Sequence, residues 1–78
     1  MQLFITNYTQ KKVVRIVWLD VDTPTGNYVI QPAHAPMILT LTPNSRVSYC
    51  LTNGKQESLD IKHGVAHISR NSVVLLVN

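Results

Sequence analysis

Apolar residues recur along this chain at spacings of one and two, and no stretch of about 11 residues shows the three-to-four spacing of a helical face. Leu3 to Tyr8 is a short apolar stretch that includes the β-tolerant Thr6. Val13 to Val21 is the densest β-branched run, a composition that fits a pleated, largely buried surface. Asp22-Thr23-Pro24-Thr25-Gly26-Asn27 breaks that run with turn chemistry at nearly every position. Tyr28 to Ile30 is a brief strand. Pro32 and Pro36 bracket Ala33-His34-Ala35 as an irregular segment, since each proline removes a backbone donor. Met37 to Leu41 resumes as a strand that Pro43-Asn44 ends. Gly64 to Ser69 is another strand, Asn71-Ser72 a tight turn, and Val73 to Val77 an apolar run suited to a central or buried position.

The hairpin from Arg46 to Lys62 is the sharpest local expectation. Val47, Tyr49 and Leu51 alternate with polar neighbours, as do Leu59 and Ile61, and Asn53-Gly54 marks the turn. A two-residue turn would set Val47 opposite Asp60 and Tyr49 opposite Ser58, mixing the apolar and polar faces. A loop of Thr52, Asn53 and Gly54 instead pairs Val47 with Leu59 and Tyr49 with Glu57, with Gly54 in the left-handed position of a bulged hairpin. Eight or more short strands separated by turns make the chain all-β, a sandwich or barrel.

Composition sharpens this picture. At 78 residues the chain is one domain, near the lower end of what a single core can hold together. Hydrophobic residues make up 45% and charged residues only 14%, which excludes disorder and leaves surface suited to being covered. The lone Cys50 allows no internal disulfide, and a small unstapled domain often leans on partners. No apolar run approaches the roughly 20 residues of a membrane span, and the N-terminus lacks a signal-peptide pattern, so a reducing, cytosolic-type compartment is the default expectation. The formal net charge is +3, too mild for a dedicated nucleic-acid binder. Lys11, Lys12 and Arg15 form the basic cluster and read first as a solvated edge strand, because lysines block edge-to-edge pairing.

Candidate chemistry is sparse. His34 has no nucleophile or carboxylate tied to it by a recognisable spacing, so local hydrogen bonding or a partner contact is the favoured reading over catalysis. His63 and His67 have the i, i+4 spacing that chelates a metal on a helix, but four strand residues span about 13 Å, too far for two ligands on one ion. Cys50 reads as a half-buried thiol. Trp18 fits either the core or an interface. The glycines Gly26, Gly54 and Gly64 are isolated, so there is no phosphate-cradling loop. No catalytic residue, metal ligand or cofactor is expected.

The segment Gly26 to Pro36 reads G-N-Y-V-I-Q-P-A-H-A-P. It resembles the signature of the epsilon subunit of F-type ATP synthase, G-x-x-G-x-x-P-G-H-A-P. Gly26, Pro32, His34, Ala35 and Pro36 match, while Val29 and Ala33 stand where the family has glycine. The following Met37 to Asn44 resembles the family's apolar strand and its Leu-x-Pro-Gly turn, with Asn44 for glycine, a mild change because asparagine also adopts the left-handed conformation. Ile61 to Ile68 resembles Val-x-Gly-Gly-Phe-x-x-Val, with Gly64 kept and His63 in place of a glycine. Asn71 with Ser72 to Leu75 resembles the closing Asn-x-Val-x-Val strand. The likeness runs from Leu3 to Val77 and is strongest over residues 26–43.

The resemblance implies a flattened sandwich of about ten strands filling residues 1–78 as a single β-sandwich domain. It implies a non-catalytic central-stalk subunit that links the gamma subunit to the c-ring and couples proton or other ion transport to ATP synthesis. Such a subunit is peripheral to the membrane on the cytoplasmic, matrix or stromal side, with no nucleic acid and no small-molecule substrate. Thr25, Gly26, Asn27 and Tyr28 would form the c-ring-facing loop. Thr6, His34, Ala35, Pro36 and Leu39 would face gamma. The common epsilon subunit adds a helical hairpin tied to inhibition of ATP hydrolysis and, in some members, to ATP binding. Here the chain stops at Asn78, so that helical domain is expected to be absent and neither role is carried over. The rival reading is a small β-barrel of the OB or cold-shock type, stacking single-stranded nucleic acid on Trp18, Tyr8, Tyr28 and Tyr49.

Overall fold

One long strand organises the chain. The structure, a computed structural model, describes residues 1–78 and contains eight strands and no helix. In chain order they are β1 (Gln2–Thr6), β2 (Lys11–Thr23), β3 (Gly26–Ile30), β4 (Met37–Thr40), β5 (Ser45–Leu51), β6 (Gln56–Ile61), β7 (Gly64–Ser69) and β8 (Ser72–Val77). The first sheet runs β4-β7-β8-β1 and ends on the N-terminal half of β2. The second holds β3, the C-terminal half of β2, β5 and β6. All pairings are antiparallel except β1 with β8.

β2 passes between the sheets through a register shift between Ile16 and Trp18, where Val17 is the extra residue. The shift flips the parity of the strand. Ile16 is buried before it, while Leu19, Val21 and Thr23 are buried after it. Both halves therefore line one core, a cluster of 15 buried residues that includes Leu3, Leu39, Val47, Tyr49, Ala66 and Leu75.

The all-β expectation and the β5–β6 register hold. Val47 pairs with Leu59 and Tyr49 with Glu57, and the loop is Thr52, Asn53 and Gly54, with Gly54 at φ 91°. Leu51 N donates to Lys55 O at 2.8 Å and closes it. The strand count differs: eight rather than about ten, because β2 is a single 13-residue strand serving both sheets. β1 stops at Thr6 instead of reaching Tyr8, because the Asn7 carboxamide oxygen accepts from Thr9 N at 3.0 Å and Gln10 N at 2.8 Å and turns the chain. β2 runs on to Thr23, so only Pro24 and Thr25 form the turn before β3. The basic cluster falls on the half of β2 that edges the first sheet, as an edge strand requires.

Gly64 is held by packing. A Cβ there would meet Leu41 Cδ1 and Val77 Cγ1 at 3.1 Å and Ile61 Cδ1 at 3.2 Å. Gly64→Ala is expected to destabilise the domain by about 1 kcal/mol, the low end for an overpacked methyl. A urea unfolding curve would show a lower midpoint at unchanged slope; an unchanged midpoint would mean that the three side chains yield freely.

Candidate docking surfaces

The β2–β3 hairpin gathers Thr25, Gly26, Asn27 and Tyr28. Its turn is tied by Thr23, whose Oγ1 donates to Gly26 O at 2.8 Å and accepts from Thr25 N at 3.3 Å. Gly26 sits at φ 133°, a conformation that side chains rarely adopt. The Asn27 amide donates to Asp20 Oδ1 at 2.6 Å, Asp22 Oδ1 at 2.9 Å and Val21 O at 3.1 Å, which fixes the outward side of the hairpin. Thr25, Gly26 and Asn27 are exposed, whereas Tyr28 packs partly against the core.

The segment Gln31 to Pro36 lies at the other end of the sandwich. Ala33 N donates to Arg70 O in the β7–β8 turn at 2.9 Å, and His34 N donates to Gln31 O at 3.2 Å. His34 Nδ1 lies 2.8 Å from Ala35 O, the local bonding expected of it. Ala33 has φ 66° and Asn44 φ 54°, so two positions where the resemblance places glycine keep the left-handed backbone without it. Val29, at the third, lies in a regular strand opposite Asp20 and needs no such geometry.

The five residues expected to face gamma are not brought together. His34, Ala35 and Pro36 share one end of the first sheet. Thr6 is at the opposite end, paired with Lys11 and Leu76. Leu39 pairs with Ala66, points into the core and is 8% exposed, so its side chain offers no surface. Motif matching missed the alternation of β4, which buries Leu39 and exposes Ile38 to 67%.

Sequence reasoning also missed the outer face of the first sheet. The registers place Ile38, His67, Val74, Phe4 and Val13 side by side in one row across β4, β7, β8, β1 and β2. The next row is Thr40, Val65, Leu76, Thr6 and Lys11. Val13 and Leu76 are 55% and 52% exposed. The signal was present in Val73-Val74-Leu75-Leu76, where an unbroken apolar run means that both faces of the strand are apolar. A groove of about 680 Å³ adjoins the second row and reaches Pro24 at the hairpin, with Tyr8, Pro43 and Val77 among its walls.

No acid–base constellation forms. The four carboxylates all lie on the second-sheet strands, Asp60 with Arg46 at 2.9 Å and Glu57 between Lys12 at 3.7 Å and Lys55 at 3.8 Å. Burial pushes the Tyr49 phenol above its ordinary pKa; Lys12 pulls it back and Glu57 pushes it further up. Cys50 is buried rather than half-buried, opposite Trp18 on the outer side of the second sheet. Trp18 itself is half-buried there, outside the core cluster. His63 lies in the β6–β7 turn and His67 on the outer face of β7, and no group of three metal-ligating side chains exists. The aromatics needed by the nucleic-acid reading are dispersed. Tyr49 is in the core, Tyr28 packs against it, Trp18 is on the second sheet and Tyr8 is in a loop.

Shape and surface thus define a two-sheet β-sandwich with exposed loops at both ends and an apolar outer face, a scaffold built for contact. A family model described as ATP synthase, Delta/Epsilon chain, beta-sandwich domain matches residues 7–78, and the chain belongs to that family. No curated protein matches the chain. Its fold is similar to a chain of the Euglena gracilis mitochondrial ATP synthase, OSCP/F1/c-ring in rotational state 1, with TM-score 0.83 and 19% identity over 96% of this chain and 48% of that one. It is also similar to a chain of the Tetrahymena thermophila mitochondrial ATP synthase central stalk/c-ring, with TM-score 0.82 and 13% identity over 99% of this chain and 62% of that one. The chain thus spans about half to three-fifths of the length of these solved chains.

Two replaced glycines should respond in opposite directions. Ala33→Gly is expected to stabilise the domain by about 1 kcal/mol by relieving a left-handed alanine. Val29→Gly is expected to destabilise it by a similar ~1 kcal/mol, since it loosens a strand interior. Thermal or urea unfolding of both variants checks the pair; a loss of stability in Ala33→Gly would overturn the strain argument.

Proposed function

We propose that this domain is a central-stalk subunit of a rotary F-type ATP synthase, joining the gamma subunit to the c-ring and coupling ion transport to ATP synthesis. The observation that carries the reading is the family match over residues 7–78. The fold shared with chains from a central stalk/c-ring assembly supports it. In this reading the domain does no chemistry of its own and turns with its partners. Thr25, Gly26 and Asn27 face the c-ring, with Tyr28 anchoring their hairpin in the core. His34, Ala35 and Pro36 face gamma, Thr6 adds to that contact from the far end of the sheet, and Leu39 acts only by seating β4.

The two loops lie at opposite ends of a body 28 × 27 × 18 Å across, so two large partners can be held at once. A proline-bracketed loop and a hydrogen-bonded hairpin lose little entropy on docking. No helix is long and apolar enough to cross a membrane. The domain would reach the membrane surface only through the complex, on the cytoplasmic, matrix or stromal side.

The test is co-purification with the gamma subunit of the same organism. A stable complex at micromolar concentration is expected, weakened at least about tenfold by Ala35→Trp at the exposed loop. Absence of any complex, or a salt-dependent affinity for single-stranded oligonucleotides in its place, would overturn the reading.

A further inference from the structure

The loop of the β5–β6 hairpin carries a reactive dipeptide. Among the asparagines of the chain, Asn53 alone is followed by glycine; Tyr8, Tyr28, Ser45 and Ser72 follow the other internal ones. A glycine has no side chain to screen its backbone nitrogen, so that nitrogen approaches the preceding carboxamide more freely than in any other pair. Thr52, Asn53 and Gly54 are all exposed to water.

We propose that Asn53 is a site of spontaneous deamidation, gated by opening of its own loop. The Gly54 nitrogen gives up its proton and attacks Asn53 Cγ. The new C–N bond closes a succinimide ring, and the Cγ–Nδ2 bond breaks to release ammonia, which carries the proton away. Water then adds to either ring carbonyl. One opening leaves an ordinary aspartate; the other leaves isoaspartate, whose main chain runs through the former side chain. No co-reactant other than water is consumed.

Two hydrogen bonds hold the reacting groups apart while the loop is closed. Gly54 N donates to Leu51 O at 2.9 Å, which keeps its proton engaged. Asn53 Oδ1 accepts from Lys55 N at 2.9 Å, which turns the carboxamide towards Lys55. Both must break before the ring can close. Little packing resists this: a Cβ on Gly54 would meet nothing within 4 Å. The loop is tied beyond its own hairpin by Thr52 N, which donates to Arg15 O at 3.3 Å. Such a segment opens locally without global unfolding. An ordinary aspartate still offers an oxygen to Lys55 N and keeps the loop. Isoaspartate lengthens the main chain of a loop that sets the β5–β6 register. It does so beside Thr52, which fastens the loop to β2 just before the register shift at Val17.

The test is incubation of the intact chain at physiological pH, folded and in urea, followed by peptide mapping with mass spectrometry. Asn53 is expected to react ahead of every other asparagine. The folded chain is expected to react at least about tenfold more slowly than the unfolded one, since two hydrogen bonds must break first. Asn53→Gln should lose the product at this loop, because the longer side chain closes its ring poorly. The purified isoaspartate form should unfold at a lower urea midpoint, whereas Asn53→Asp should keep the midpoint of the unaltered chain. Earlier reaction at another asparagine, or no product at Asn53 in the folded chain, would overturn the assignment. Equal rates in the folded and unfolded chain would overturn the gating. An isoaspartate form as stable as Asn53→Asp would overturn the effect on the hairpin.

Discussion

The extra residue at Val17 is the constraint on which the architecture depends. Alternation along a strand has a period of two, so a straight β2 would bury Ile16 and then expose Leu19 and Val21. With Val17 bulged out of register, the even positions face the core in the first sheet and the odd positions face it in the second. One covalent strand can then edge one sheet and sit inside the other, which lets 78 residues enclose a core without a disulfide. The same shift turns Val13, Lys11 and Arg15 outward on the first sheet and Asp20 and Asp22 outward on the second. The separation of Lys11 and Arg15 from Asp20 and Asp22 is thus a by-product of the bulge.

How much of this was legible in the sequence varied with the kind of signal. The β5–β6 register could be derived residue by residue, because clean alternation on both strands leaves one pairing that keeps like faces together. The bulge could not, because Val13 to Val21 contains β-branched residues of both parities and no glycine to mark the irregularity. β8 carried the information in plain form, yet a run such as Val73 to Val77 fits a doubly buried strand as well as one with a bare outer face. Only the pairing of β8 with β1 and β7 distinguishes the two.

The loops show the opposite limit. Ala33 and Asn44 occupy left-handed backbone that chemistry would assign to glycine. The shape of both turns is therefore held by the fold around them, through the bond from Ala33 N to Arg70 O and from Asn44 N to Lys62 O. Motif likeness put Leu39 on the same surface as His34, whereas the strand buries it, since a motif records order along the chain and not the side of the strand. The five residues that the motif likeness assigns to a gamma contact consequently divide between two ends and the interior.

That division bears on how the domain would carry load. A contact confined to the His34–Pro36 loop would pull on one end of a small body and leave the other free to pivot. The row from Ile38 to Val13, apolar except at His67, runs across every strand of the first sheet, so a partner seated on it would distribute force over backbone ladders instead of a single loop. The groove beside Leu76 reaches from the next row to Pro24, which joins the face to the hairpin at the opposite margin. Low charge, an acid-free face and a β8 with apolar side chains on both sides then describe one property: β8 is stabilised from within by Val73 and Leu75 in the core and leaves Leu76 apolar and exposed on its outer face.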